Sequence, residues 1–199
     1  MWGLVEDNAI TKIINQPKGM VIGDTRHSRK IFSLWSEAEL NNVGLYSVVF
    51  DNSNKKDEKY YTNTNQTFAF ADGAVTSSYG SPTAKALADR NATDDEGVEL
   101  DPVVVISGLK TQHKENIKKQ AIWLLTPTDW YVIKANEVES YSVPSAITTY
   151  RANIRTKSND MEVLIDACGT VDELAALYEY TEQEDGSQIR PLGEFPEAV

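Results

Sequence analysis

The chain has one cysteine and two histidines in 199 residues, and each scarcity removes a class of function. A lone thiol, Cys168, forms no internal disulfide, so a disulfide-stapled scaffold is excluded. His27 and His113 lie far apart with no Cys or His at ligand spacing, which argues against a metal centre. Cations are also few: 19 Lys and Arg against 30 Asp and Glu give a net charge of −11. Phosphate backbones need clustered cations, so nucleic acid is not an expected partner. No apolar run approaches the roughly 18 residues of a membrane span, and no charged-then-apolar leader opens the chain. The expectation is a protein made in a cytoplasm, with no membrane partner. Residues 19–25 have the glycine look of a phosphate loop, but the spacing is wrong and no lysine follows. Carboxylate pairs such as Asp94 and Asp95 sit in a polar stretch where nothing raises a pKa for acid–base work. No internal repeat is visible, and no catalytic residue, cofactor or metal is expected.

A hydrophobic content of 41 % is enough for a packed core. Its distribution points to an α+β chain: a small mainly-β domain over residues 1–79, an acidic linker over 80–107, a helical module over 108–178 and an acidic tail over 179–199. Residues 2–14 read as two β-rich runs about a turn at Asp7-Asn8. Residues 20–22 and 30–35 are open between further strands and bound loop. Ser36 and Glu39 frame a capping box for a short helix that ends by Gly44. Residues 45–50 form a strand, and residues 59–62 and 66–70 alternate in character. Asp72-Gly73 is a hairpin turn into residues 74–79.

The stretch from Asp89 to Asp101 holds six acids against Arg90, a balance of −5. Its default reading is a solvated linker, and the sharper one a docking surface for a basic partner. Residues 102–106 are suited to one strand returning to the N-terminal sheet. The tail carries another six acids against Arg190, a composition that leaves it disordered unless something, such as a neighbouring subunit, holds it.

Between these acidic stretches the helical pattern is clear. From residue 110 to 125 good helix formers dominate, with Ile117, Ala121 and Leu124 on one face. Pro127 is expected to end that helix, and Trp130 to sit in a turn or short extended piece as an anchor. A second helix, announced by Pro144, carries a seam of Ile147, Tyr150, Ile154, Met161, Leu164 and Cys168, with Lys157 admitted to the series. Gly169 is expected as a left-handed stop, and Thr170 with Glu173 as a capping box for a third helix bearing Leu174, Leu177 and Tyr178. Lys110, Lys114 and Lys118 make a stripe that is either solvated or paired with an acidic segment. Arg151 and Arg155, one turn apart, call for carboxylate partners, with Asp129 a candidate across the hairpin.

The order Leu124-Leu125, Thr128-Asp129-Trp130, Pro144, Tyr150-Arg151 and Ile154-Arg155 resembles the C-terminal module of bacteriophage tail fibre assembly proteins, also called tail assembly chaperones. The resemblance covers about residues 110–157. The helix here runs past the arginine to Met161, Leu164 and Cys168, and a third helix and an acidic tail follow. The resemblance implies a non-enzymatic phage tail or tail-fibre component, made in the host cytoplasm and residing in the virion as a homo- or hetero-oligomer. Its docking residues would be Leu124, Leu125, Asp129, Trp130, Tyr150, Arg151, Ile154, Arg155, Met161 and Leu164.

Three other readings stand beside it. One is a transient assembly chaperone absent from the finished particle. Another is a host-surface adhesin using aromatics such as Trp35, Tyr60 and Tyr61, whose blander role is sheet packing. The third is a glycan hydrolase, for which Asp24 with Glu37 or Glu39 is the best acid pair available.

Overall fold

A computed structural model of the chain describes residues 1–198 and divides into two compact units, Met1–Thr83 and Ala84–Val199. The architecture is α+β, with a mainly-β first region and a helical module in the second.

In the first unit, β1 (Trp2–Glu6) and β2 (Ala9–Ile14) form a hairpin. Its turn residues Asp7 and Asn8 have φ of 52° and 62°, the left-handed region that a two-residue turn requires and that Asp and Asn tolerate. A two-stranded ribbon follows, β3 (Met20–Ile22) and β4 (Thr25–His27), then the one-turn helix α1 (Ile31–Leu34) and α2 (Glu37–Asn42). Residues 30–35 are thus neither strand nor bound loop: the α1 turn sends Ile31 into the core and leaves Leu34 exposed. The capping box of α2 forms, the Ser36 amide donating to Glu39 Oε2 (2.7 Å) and the Glu39 amide to Ser36 Oγ (3.3 Å).

Strand β5 (Leu45–Asp51) enters the middle of the sheet, β6 (Tyr61–Thr62) is a short piece, and β7 (Thr67–Ala71) and β8 (Ala74–Ser78) form the second hairpin. Residues 59–62 are strand only at their end, because the amides of Tyr60 and Tyr61 both donate to the Asp57 carbonyl (3.0 and 2.9 Å), closing a turn. The sheet order is β2-β1-β5-β8-β7, with β5 and β8 parallel and the other pairs antiparallel. It curls until its edge strands β2 and β7 approach one another. Leu4, Ile14, Met20, Ile31, Leu40 and Leu45 form the core, with Trp2, Phe32 and Trp35 packed on it. A two-residue strand, β9 (Thr83–Ala84), lies at the boundary.

The second unit begins with a ribbon, β10 (Arg90–Asn91) against β11 (Val105–Ile106). Residues 80–107 are therefore more than a solvated linker. The strand at 105–106 pairs locally with β10 rather than returning to the N-terminal sheet, since the turn at residues 94–98 brings the two runs together. Helix α3 (Leu109–Leu125) continues through a 3-10 turn (Thr126–Thr128) into α4 (Asp129–Glu137). Pro127 does not end the helical path. It occupies the first turn of the 3-10 segment, where a missing amide costs nothing, so Trp130 lies in a helix and not in an extended piece.

Helix α5 (Ser145–Ala167) runs back along α3, and α6 (Val171–Ala176) follows with its Thr170 and Glu173 capping box intact. Gly169 is not left-handed. The stop comes from Glu173 Oε2, which accepts the amides of Gly169 (2.6 Å) and Thr170 (3.2 Å). The acidic tail folds as a hairpin, β12 (Thr181–Glu182) and β13 (Gln188–Ile189). Its own helices hold it: Leu192 is fully buried, its amide donates to the Leu177 carbonyl (3.0 Å), and Phe195 packs on Ala121, Tyr150 and Ile154. Average composition concealed these two apolar plugs.

Two glycines are required for distinct reasons. Gly44 has φ of 77° and lies against the Val5 carbonyl, where an added Cβ would collide. Gly108, at the start of α3, is approached by the backbone of Leu87 and Ala88. Gly44→Ala and Gly108→Ala should each lower the unfolding free energy by about 2 kcal/mol or more, measured by urea titration of the full chain.

Candidate functional site

The helical module is fastened at the corner between α3 and α4. Arg151, buried on α5, donates from Nη1 to the Leu125 carbonyl (3.1 Å) and Thr128 Oγ1 (2.5 Å), and pairs with Asp129 Oδ1 (2.8 Å). Asp129 is the carboxylate that its position across the hairpin indicated. Tyr150 adds a long hydrogen bond to the Leu124 carbonyl (3.4 Å). These contacts tie α5 to the carbonyls of the last two residues of α3.

Below the corner α3 and α5 are antiparallel, as their charge pairs record. Lys114 Nζ meets Asp166 Oδ1 at 2.7 Å and Lys118 Nζ meets Glu162 Oε2 at 3.2 Å, while Lys110 Nζ donates to the Asp166 carbonyl (2.9 Å). The lysine stripe is therefore paired within the chain. The hydrogen bond it donates to Asp166 holds the Lys114 ammonium above its ordinary pKa. Its contribution is complete below the ordinary lysine range and lost as pH rises past it.

The ten residues expected at a partner interface divide accordingly. Tyr150, Arg151, Ile154 and Met161 are buried and serve the module itself, and Leu124 and Leu125 are half-buried against the same cluster. The buried series on α5 runs Ile154, Ser158, Met161, Ile165, so Ser158 and Ile165 take the places expected for Lys157 and Leu164. Leu164 is partly exposed. Arg155 donates to the Arg151 carbonyl (3.2 Å) and, with Lys118, Ala121, Ile122 and Leu125, lines a groove of about 340 Å³ between α3 and α5.

Trp130 is not a buried anchor: half of it is exposed, with its ring stacked on Tyr131 at 3.8 Å. Asp129 begins a helix rather than a turn, and this turns the indole outward. Trp123 is 73 % exposed, and Ile122 and Ile133 are also open to solvent. Sequence reasoning missed these three, although Ile122 and Trp123 fall off the Ile117, Ala121, Leu124 face. Apolar residues outside the stripe that packs are the available sign of a second surface.

Glu39 is bound in its capping box, Glu37 accepts from Ser47 Oγ (3.0 Å), and Asp24 lies in the turn between β3 and β4. Tyr60 is buried, Trp35 packs on the core edge-on to His27, and Tyr61 lies beneath Lys56 Nζ at 4.5 Å. His113 is buried with Nδ1 2.7 Å from the Tyr178 hydroxyl. Among the described residues no three metal-binding side chains converge, and no helix is long and apolar enough to cross a membrane. Burial, reinforced by the Glu173 charge, raises the pKa of the Cys168 thiol.

No family model, curated protein or solved structure matches the chain.

Arg151→Met should cost about 3 kcal/mol of unfolding free energy, because it removes the buried guanidinium that bonds Leu125, Thr128 and Asp129 together. Asp129→Asn should cost under about 1 kcal/mol, since Asp129 is half exposed. Urea titration with a global fit distinguishes the two. Cys168 should react with Ellman's reagent on the order of 100-fold more slowly in the native chain than in denaturant, read as absorbance against time.

Proposed function

We propose that the protein is a non-enzymatic bacteriophage tail or tail-fibre component, and that its helical module docks on another tail polypeptide. The observation that carries the reading is the pair of exposed indoles, Trp123 and Trp130, on either side of the corner that Arg151 braces. Burying the uncovered parts of both rings would contribute on the order of 5 kcal/mol at 25 cal/mol/Å². The resemblance over residues 110–157 supplies the class of partner. The docking surface in this reading is the exposed side of the α3–α4 corner, Trp123 and Trp130 with Ile133, bordered by Ile122 at the α3–α5 groove, while the α5 seam keeps it rigid. A preorganised face loses less side-chain and backbone freedom on binding.

The longer α5, the added α6 and the self-held tail favour a protein that stays in the particle over one that leaves it. The chaperone reading differs in one observable, presence in the virion.

The test is co-expression of the chain with the fibre polypeptide of the same phage, followed by affinity capture. Trp123→Ser combined with Trp130→Ala should reduce capture by about tenfold or more while changing stability by less than about 1 kcal/mol, because neither ring is in the core. Equal capture by variant and parent overturns the docking surface. Mass spectrometry of purified virions should find the chain in fixed copy number; its absence there transfers the reading to the chaperone.

A further inference from the structure

The ribbon at the start of the second unit is unlike the rest of the molecule. Among the described residues it has two strands and no third, although an isolated two-stranded ribbon is marginal in water. Strand β11 and the two residues before it make a continuous β-branched run, and each member is about half exposed: Val103 58 %, Val104 49 %, Val105 58 % and Ile106 40 %. A strand apolar on both faces is the pattern of one covered on both faces. Here the run stays about half open to solvent along its whole length. Residues 89–101 hold Asp89, Asp94, Asp95, Glu96, Glu99 and Asp101 against a single Arg90, and of these acids Asp89 also feels the charge of Lys114 on α3.

We propose that the outer edge of β11 takes a third strand from a partner protein, an extended β-branched segment flanked by lysine or arginine. The proposal is independent of the α3–α4 docking face. Three features of the ribbon support it. First, the edge is available. Val104 accepts from the Ala92 amide (2.7 Å) and Ile106 stands opposite Arg90, so alternation turns the backbone groups of Val103 and Val105 away from the ribbon. An unpaired edge of this kind is a template for strand addition.

Second, the ribbon is held in place before any partner arrives. Asp89 Oδ1 accepts the Gly108 amide (2.8 Å), and Ala86 and Leu87 carbonyls accept the amides of Leu109 (2.9 Å) and Lys110 (3.1 Å). At the far end Asp94 Oδ1 accepts the amides of Glu96 (3.0 Å) and Val98 (2.9 Å), fixing the turn.

Third, charge selects the occupant. A second copy pairing edge to edge would set two −5 segments side by side, within a screening length of about 8 Å at physiological salt. A basic segment meets the opposite field and gains both association rate and register. The acids thus guard the edge against its own kind and favour a cationic strand.

The experiment uses the full chain, isotopically labelled, and two synthetic peptides with the same alternating valine and threonine core. One is flanked by two lysines at each end, the other by two glutamates. The lysine peptide should bind at least about tenfold more tightly, its affinity should fall as salt is raised, and the largest amide shifts should lie in residues 98–106. Val105→Pro removes only an outward amide and should abolish binding while leaving the unfolding transition in place. Combined Asp95→Asn, Glu96→Gln, Glu99→Gln and Asp101→Asn spares the two acids with turn and helix roles, and should erase the preference between peptides. Equal affinity for both peptides, no binding of either, shifts confined to other segments, or dimerisation of the parent chain through this ribbon would each overturn the proposal.

Discussion

A single guanidinium sets the geometry of the helical module. Arg151 arrives at the corner from α5 and bonds the last carbonyl of α3, the hydroxyl of the 3-10 turn and the first carboxylate of α4. Three successive segments are thereby referred to one point on a fourth. Arginine suits the task because its rigid fork presents several donors that cannot lose their charge at any physiological pH. Burial of such a group is favourable only with every donor direction answered, which makes the corner intolerant of small displacements. The direction in which α4 leaves the corner, and with it the outward aim of Trp130, follows from this constraint.

Charge is segregated in a way that the net figure does not reveal. The lysines of α3 are matched by Glu162 and Asp166 on α5, so the helical interface is internally balanced. In the tail, Arg190 is held by Glu194 and stacks over Tyr178 and Tyr180. The ribbon at 89–101 has no comparable internal compensation in its composition. A polypeptide approaching this molecule therefore meets a neutralised helix pair and a negative ribbon, two surfaces with different requirements.

The legibility of the sequence followed the range of the interactions. Both capping boxes, the Asp7-Asn8 and Asp72-Gly73 turns and the spans of α3 and α5 were readable because each is decided within a few residues. Phase along α5 was harder. Lys157 and Ser158, or Leu164 and Ile165, fit an alternation of three and four equally well, and only the approach of α3 selects the small serine and Ile165. Trp130 was read as buried because an indole is costly to expose. Whether a helix or an extended piece follows Pro127 decides that exposure, and the deciding bonds come from Arg151, 21 positions further along the chain. The tail was obscured for the same reason: Leu192 and Phe195 acquire meaning only from the helices they meet, α3, α5 and the end of α6.

The way α3 begins bears on where this polypeptide divides. Its opening amides are answered by the carbonyls of Ala86 and Leu87 and the carboxylate of Asp89 rather than by a capping side chain of its own, and Gly108 is bare so that this segment can come close. The apparent linker is consequently the foundation of the helix, and its acidic arm cannot swing freely on a tether. Any excised or transplanted version of the helical portion has to carry the twenty-odd preceding residues with it, since without them the first turn of α3 loses the groups that answer its amides.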